Sequence, residues 1–140
     1  MLRKVIIAAI LFTGILSCGK SKSGFKYSEE LVAIEKSLAP DIEATETKVE
    51  RFATNGEYDS VVAAATRMES LVQKKIDEID KKPLPKAKGV EDFKAAVMRY
   101  FGYIKSMYTA YKKWGAAATE EERQAELDAM QKLVEEKTTL

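Results

Sequence analysis

Gly14, Gly19, Lys20 and Ser21 stand at the spacing G-x-x-x-x-G-K-[ST], the pattern in which backbone amides and a lysine cradle nucleotide phosphates. That chemistry needs a buried strand leading in and a helix N-terminus leading out. The sequence offers neither. The run before Gly14 is accounted for by export, cleavage of the export signal would remove Gly14 itself, and no apolar periodicity begins at Ser21. Nucleotide binding is therefore set aside. Carboxylates gather at Asp77, Glu78 and Asp80 and again at Glu120, Glu121 and Glu122, where paired acids could hold a hard cation or run acid–base chemistry. Both groups fall on outer faces or in a first turn of predicted helices, where solvated charge is the ordinary state. The chain has no histidine, which excludes a His-dependent triad, an imidazole zinc site, a His-ligated haem and the Glu-x-x-His pairs of di-iron bundles. Its one cysteine, Cys18, allows no intramolecular disulfide. The expectation is a protein that is not an enzyme and carries no cofactor and no metal.

The N-terminus decides where the rest works. Arg3 and Lys4 are followed by an uncharged run from Val5 to Leu16, closed by Ser17 and Cys18. Basic, then apolar, then small is the order of a secretory signal, and the run is shorter than the ~20 residues that span a bilayer. Ile15-Leu16-Ser17-Cys18 resembles the lipobox of bacterial lipoproteins: an aliphatic residue, a tolerant position, a small residue, then cysteine. The resemblance covers the first 18 residues. It implies cleavage before Cys18, a diacylglycerol on the Cys18 sulfur and acylation of the new amine. Two or more acyl chains hold a protein to a membrane stably where one holds it marginally. Gly19 occupies the position where an aspartate would signal inner-membrane retention, so the resemblance places the anchor in the outer membrane, facing the periplasm.

Residues 1–17 are thus read as a cleaved signal, and residues 18–27 as the lipidated cysteine with a flexible Gly/Ser/Lys tether. Residues 28–140 are read as one helical domain. Removing Arg3 and Lys4 from 23 basic residues leaves 21 against 22 acidic ones. A mature charge near −1 argues against nucleic-acid binding.

Four helices are expected. The first spans residues 28–54, capped by Ser28 with Glu29 and Glu30 in its first turn. Its stripe of Leu31, Ile34, Leu38, Ile42, Thr45, Val49 and Phe52 keeps phase across Pro40, which predicts a kink and no break. Asn55-Gly56 ends it. A second helix at 57–81 is stopped by Pro83-Leu84-Pro85. A third at 90–114 carries a wide apolar arc including Phe93, Val97, Phe101, Ile104 and Tyr108, wide enough for more than one neighbour. Thr119 and Glu122 form a capping box for a fourth at 120–138 with a narrow stripe of Leu127, Met130, Leu133 and Val134. Short connections make this an all-α, up-down antiparallel four-helix bundle.

Two functional classes fit. One is a membrane-tethered adaptor that binds an envelope protein, with Tyr103 and Trp114 on an exposed flank of the third helix and Tyr111 beside them as the contacts. The other is a carrier enclosing a small apolar or aromatic ligand in a closed cavity beside Tyr100, Met107 and Tyr111. The mature domain loosely resembles small helical lipoproteins of Gram-negative bacteria, which implies no activity.

Overall fold

The computed structural model describes residues 21–137, with side chains to Glu135; the expected signal at residues 1–17 and the expected lipid on Cys18 lie outside the described residues. The fold is an all-α four-helix bundle: α1 Lys22–Thr54, α2 Tyr58–Lys81, α3 Val90–Ala116 and α4 Glu120–Lys137. No strand occurs among the described residues, and no helix among them is long and apolar enough to cross a membrane.

α1 begins six residues before the expected start at Ser28. Ser21 is its N-cap, in extended backbone, accepting a 3.1 Å hydrogen bond from Gly24 N. Ser28 sits inside the helix and donates to Phe25 O at 2.7 Å. The residues read as the last part of a flexible tether are therefore helical. Gly, Ser and Lys composition favours disorder only where nothing is buried, and here Tyr27 and Leu31 enter the core and hold the first turns in place. A helix thus does lead out of Ser21, one of the two flanks a phosphate loop needs; residues 14–20, the rest of that pattern, lie outside the described residues. Pro40 is exposed and α1 runs through it unbroken.

The other ends follow local chemistry. Gly56 takes a φ of 73° in the turn to α2, and Gly89 takes 82° at the start of α3, a region that L side chains avoid. Glu122 N donates to Thr119 Oγ1 at 3.1 Å, while Thr119 N and Ala118 N donate to Glu122 Oε2 at 3.2 and 2.7 Å. The capping box is in place.

α3 is the central helix. It packs against α2 over the longest interface, and against α1 and α4. Phe101, Ile104, Met107, Tyr108 and Tyr111 are all sealed from solvent. α4 lies along α3 and contributes Met130 to the core, with Leu127 and Leu133 partly covered and Val134 exposed. α1 and α3 run parallel: Glu46 bonds Tyr111, and Glu35 acts on the Tyr100 hydroxyl, the same sequence offset three helical turns away.

α3 extends two residues past Trp114, and this brings Gly115 against α2. A Cβ on Gly115 would lie 3.0 Å from Tyr58 O and 3.0 Å from Val62 Cγ2. Gly102, in the same helix, faces open space. The two glycines predict opposite outcomes. Gly102→Ala should raise stability by about 0.5–1 kcal/mol through helix propensity alone. Gly115→Ala should lower it by about 1–2 kcal/mol, because overpacking against fixed backbone outweighs that gain. Urea midpoints of the two variants moving in the same direction would contradict this packing.

Candidate functional site

The α3 residues expected to act together do not form one surface. Tyr103 is half-buried and reaches the edge of the bundle. Tyr111 is 1% exposed and Trp114 5%. The expectation of Trp114 as an exposed contact is thus corrected. Its indole meets the Tyr58 ring edge-on, centroids 5.4 Å apart at 78°. The Arg123 guanidinium of α4 covers that ring 4.0 Å from its centroid. Arg123 is itself held by Ala117 O at 2.6 Å and Glu120 Oε2 at 3.2 Å. Trp114, Tyr58 and Arg123 therefore tie α2, α3 and α4 together at one end of the bundle. The physical reason is the close approach at Gly115, which brings α2 over the face where Trp114 stands.

Tyr111 has a polar role inside the bundle. Its hydroxyl donates to Glu46 Oε2 at 3.0 Å, joining α3 to α1. The Tyr108 hydroxyl faces the same carboxylate, yet neither it nor Glu46 Oε1 makes a well-formed hydrogen bond. Burial pushes the Glu46 carboxyl above the ordinary carboxylate range; the Tyr111 bond and the nearby Tyr108 hydroxyl pull it back, and Glu50 adds to the rise. Burial, then Glu46, drives both tyrosine hydroxyls far up, so neither ionises. Glu46 escaped sequence reading. The available signal was a carboxylate one turn beyond Ile42, on the margin of the apolar stripe of α1.

A second carboxylate, on the α2–α3 seam, has the opposite character. Glu69 accepts from Thr109 Oγ1 at 2.5 Å and pairs with Lys112. The Lys112 bond, then the Thr109 bond, holds its carboxyl below the ordinary range. Lys105 Nζ, one turn away, donates to Gln73 Oε1 at 2.6 Å. These groups zip α2 to α3 and leave no vacant acceptor aimed at a ligand.

Met107 and Tyr111 are packed by protein atoms, with the Tyr108 and Tyr111 rings 5.9 Å apart. Two grooves among the described residues lie elsewhere. One groove, about 330 Å³, runs between α1 and α2. Ala44, Phe52, Ala63, Ala64, Met68 and Leu71 make its apolar floor. Lys48 on the α1 wall and Arg67 on the α2 wall stand at its rims, with Asp41 at one end. Arg51 stacks on Phe52 at 4.8 Å. Among the described residues no carboxylate pairs with Lys48 or Arg67. A second groove, about 390 Å³, lies between α3 and α4, lined by Ala110, Ala129 and Leu133 and by Lys113, Lys132 and Glu126.

The grooves escaped sequence reading because small residues at helical spacing look like ordinary contacts. Ala44 on α1 and Ala63 and Ala64 on α2 line the seam, and only the pairing of the two helices shows it. Among the described residues no group of three or more Asp, Glu or Cys side chains is arranged to hold a metal ion. Comparison with protein families, curated proteins and solved structures finds no match to this chain.

Proposed function

We propose that the mature chain is a lipid-anchored protein of the bacterial cell envelope, held by Cys18, whose bundle acts as an adaptor. Its docking site is the α1–α2 groove and its occupant is an acidic amphipathic helix of a partner protein. The observation that carries this reading is the groove's makeup. An apolar floor is flanked on both walls by cations, Lys48 and Arg67, that no carboxylate of the described chain answers. Helix-in-groove recognition uses this combination, apolar anchors on one face and complementary charge at the rim. The small residues Ala44, Ala63 and Ala64 let a third helix approach closely. The groove runs from Asp41 to Phe52 on α1, so a docked helix would be read over about three turns.

The test is a photocrosslinking amino acid placed at Ala63 in the full chain, in its own membrane. A discrete adduct at Ala63, absent from the same probe at exposed Gln124, and lost when Lys48 and Arg67 are changed to Glu, is the expected result. An adduct indifferent to both charge reversals would remove the acidic helix as occupant. Charge reversal at exposed rim positions should leave the melt within about 0.5 kcal/mol of the parent, so loss of the adduct would report docking and not unfolding.

A further inference from the structure

The two ends of the bundle differ in chemistry. One end is formed by the start of α1, the end of α2, the α2–α3 connection and the start of α3, whose first turn carries Glu91 and Asp92. Lys82 Nζ meets Glu30 Oε2 at 3.1 Å there, and Lys94 Nζ reaches Asp80 O at 2.7 Å and Lys82 O at 3.4 Å. Residues 21–26 and 82–89 carry Lys22, Lys26, Lys82, Lys86 and Lys88 and no acidic residue. The same two segments hold the two most exposed large apolar side chains among the described residues, Phe25 at 54% and Leu84 at 46%. Pro83 and Pro85 flank Leu84 and restrict its backbone, so the leucine stands out on a stiff support. The opposite end carries Glu57, Asp59, Glu120, Glu121 and Glu122 beside Arg51, Lys113 and Arg123.

We infer that the basic end is a lipid-contact surface on which the bundle stands end-on against an anionic bilayer. Phe25 and Leu84 enter the interface, and Lys22, Lys26 and Lys86 engage headgroup phosphates. Chain length carries the argument further. α1 starts at Lys22, and only Gly19 and Lys20 separate Cys18 from its cap Ser21. Three residues reach at most about 10 Å, so an acylated Cys18 brings this end, and no other, to the headgroups. Amphipathic contact of this kind adds apolar insertion to attraction for anionic lipid. The inference rests on the Cys18 anchor proposed above. It also accounts for the position of the α1–α2 groove, which occupies the half of those helices away from the basic end and so stays accessible to a partner.

The test uses the full chain as processed by its host, reconstituted in vesicles of phosphatidylethanolamine and phosphatidylglycerol. Nitroxide labels are placed singly by Phe25→Cys, Leu84→Cys and Asn55→Cys; Asn55 lies in the turn at the acidic end. Labels at 25 and 84 should be protected several-fold from an aqueous nickel chelate and open to oxygen, with the label at 55 showing the reverse. Changing Lys22, Lys26 and Lys86 to Glu should return the label at 84 towards the accessibility seen at 55. Equal water exposure at all three positions of an acylated chain would overturn the docking surface and leave the anchor standing. The intact mass of the same sample reads the anchor separately. An unmodified Cys18 in a chain whose labels at 25 and 84 still lie in lipid would overturn the anchor and support the surface.

Discussion

Trp114→Ala should cost about 3–5 kcal/mol, the usual loss for truncating a buried large aromatic, and lower Tm by about 10–20 °C in a domain of this length. The indole is 5% exposed and rests edge-on against Tyr58, whose ring carries the Arg123 guanidinium. Its removal leaves a cavity under the one place where α4 is fastened to the start of α2. Tyr103→Ala, at a half-buried position on the same helix, should cost about 1 kcal/mol or less. The contrast is the useful reading, because both residues stand on the flank of the α3 arc. Thermal melts of the two single variants measure it. A Trp114→Ala protein melting within a few degrees of the parent would return the indole to the surface. Removing Tyr58 as well should cost less than the sum of the two single losses by about 0.5–1.5 kcal/mol, the coupling of an aromatic pair.

The burial of Trp114 has a specific cause. On a helical projection it falls beside the arc of Phe93, Val97, Phe101, Ile104 and Tyr108, and a flank residue is buried or exposed according to where the neighbouring helix crosses. That crossing is set by Gly115, whose missing Cβ admits Tyr58 O and Val62. Along the chain, a glycine just past the expected helix end at residue 114 marks the beginning of a connection. Its second meaning, close approach of two helices, is visible only once the pair is assembled. The start of α1 was missed for a related reason: the local composition of residues 21–27 favours a tether, and tertiary burial of Tyr27 overrides it. By contrast, the stripe through Pro40, the stop at Pro83, the turn at Gly56 and the capping box at Thr119 each rest on local chemistry. Those were legible.

Little of the candidate site was legible. The aromatic residues that attract attention in the sequence became core, as Tyr108, Tyr111 and Trp114 show. The surfaces now proposed are built from alanines, scattered larger apolar residues, lysines and an arginine that carry no motif. Lys48 and Arg67 lie on different helices, and Phe25 and Leu84 are nearly sixty residues apart. Periodicity analysis orders residues within one helix; it does not say which groove two helices enclose or which loops share an end.

Glu46 and Glu69 should give stability profiles of opposite slope, and the pair makes a demanding test of the buried chemistry. Glu46 titrates above its ordinary value in the fold, because burial disfavours its charge. Its contribution is therefore fully present below the unfolded carboxylate pKa and is lost as pH rises through the raised folded value. At low pH the protonated carboxyl has a proton to offer the unpartnered Tyr108 oxygen; at neutral pH the carboxylate is a buried charge answered by the Tyr111 hydroxyl. Glu46→Gln keeps an acceptor for Tyr111 and cannot ionise. Relative to the parent it should gain stability as pH rises through and above the ordinary carboxylate range. Glu69 titrates below its ordinary value, because Lys112 and Thr109 bond its charged form. Its contribution is present above the unfolded pKa and disappears as pH falls through the lowered folded value. Glu69→Gln should therefore be weaker than the parent by about 1–2 kcal/mol at neutral pH, the worth of a charge-assisted pair that is partly screened, with the deficit closing in acid. Urea midpoints of both variants across that range decide the matter. Parallel shifts would mean that Glu46 is solvated in the folded protein, and that the Tyr111 bond joining α1 to α3 does not bury a charge.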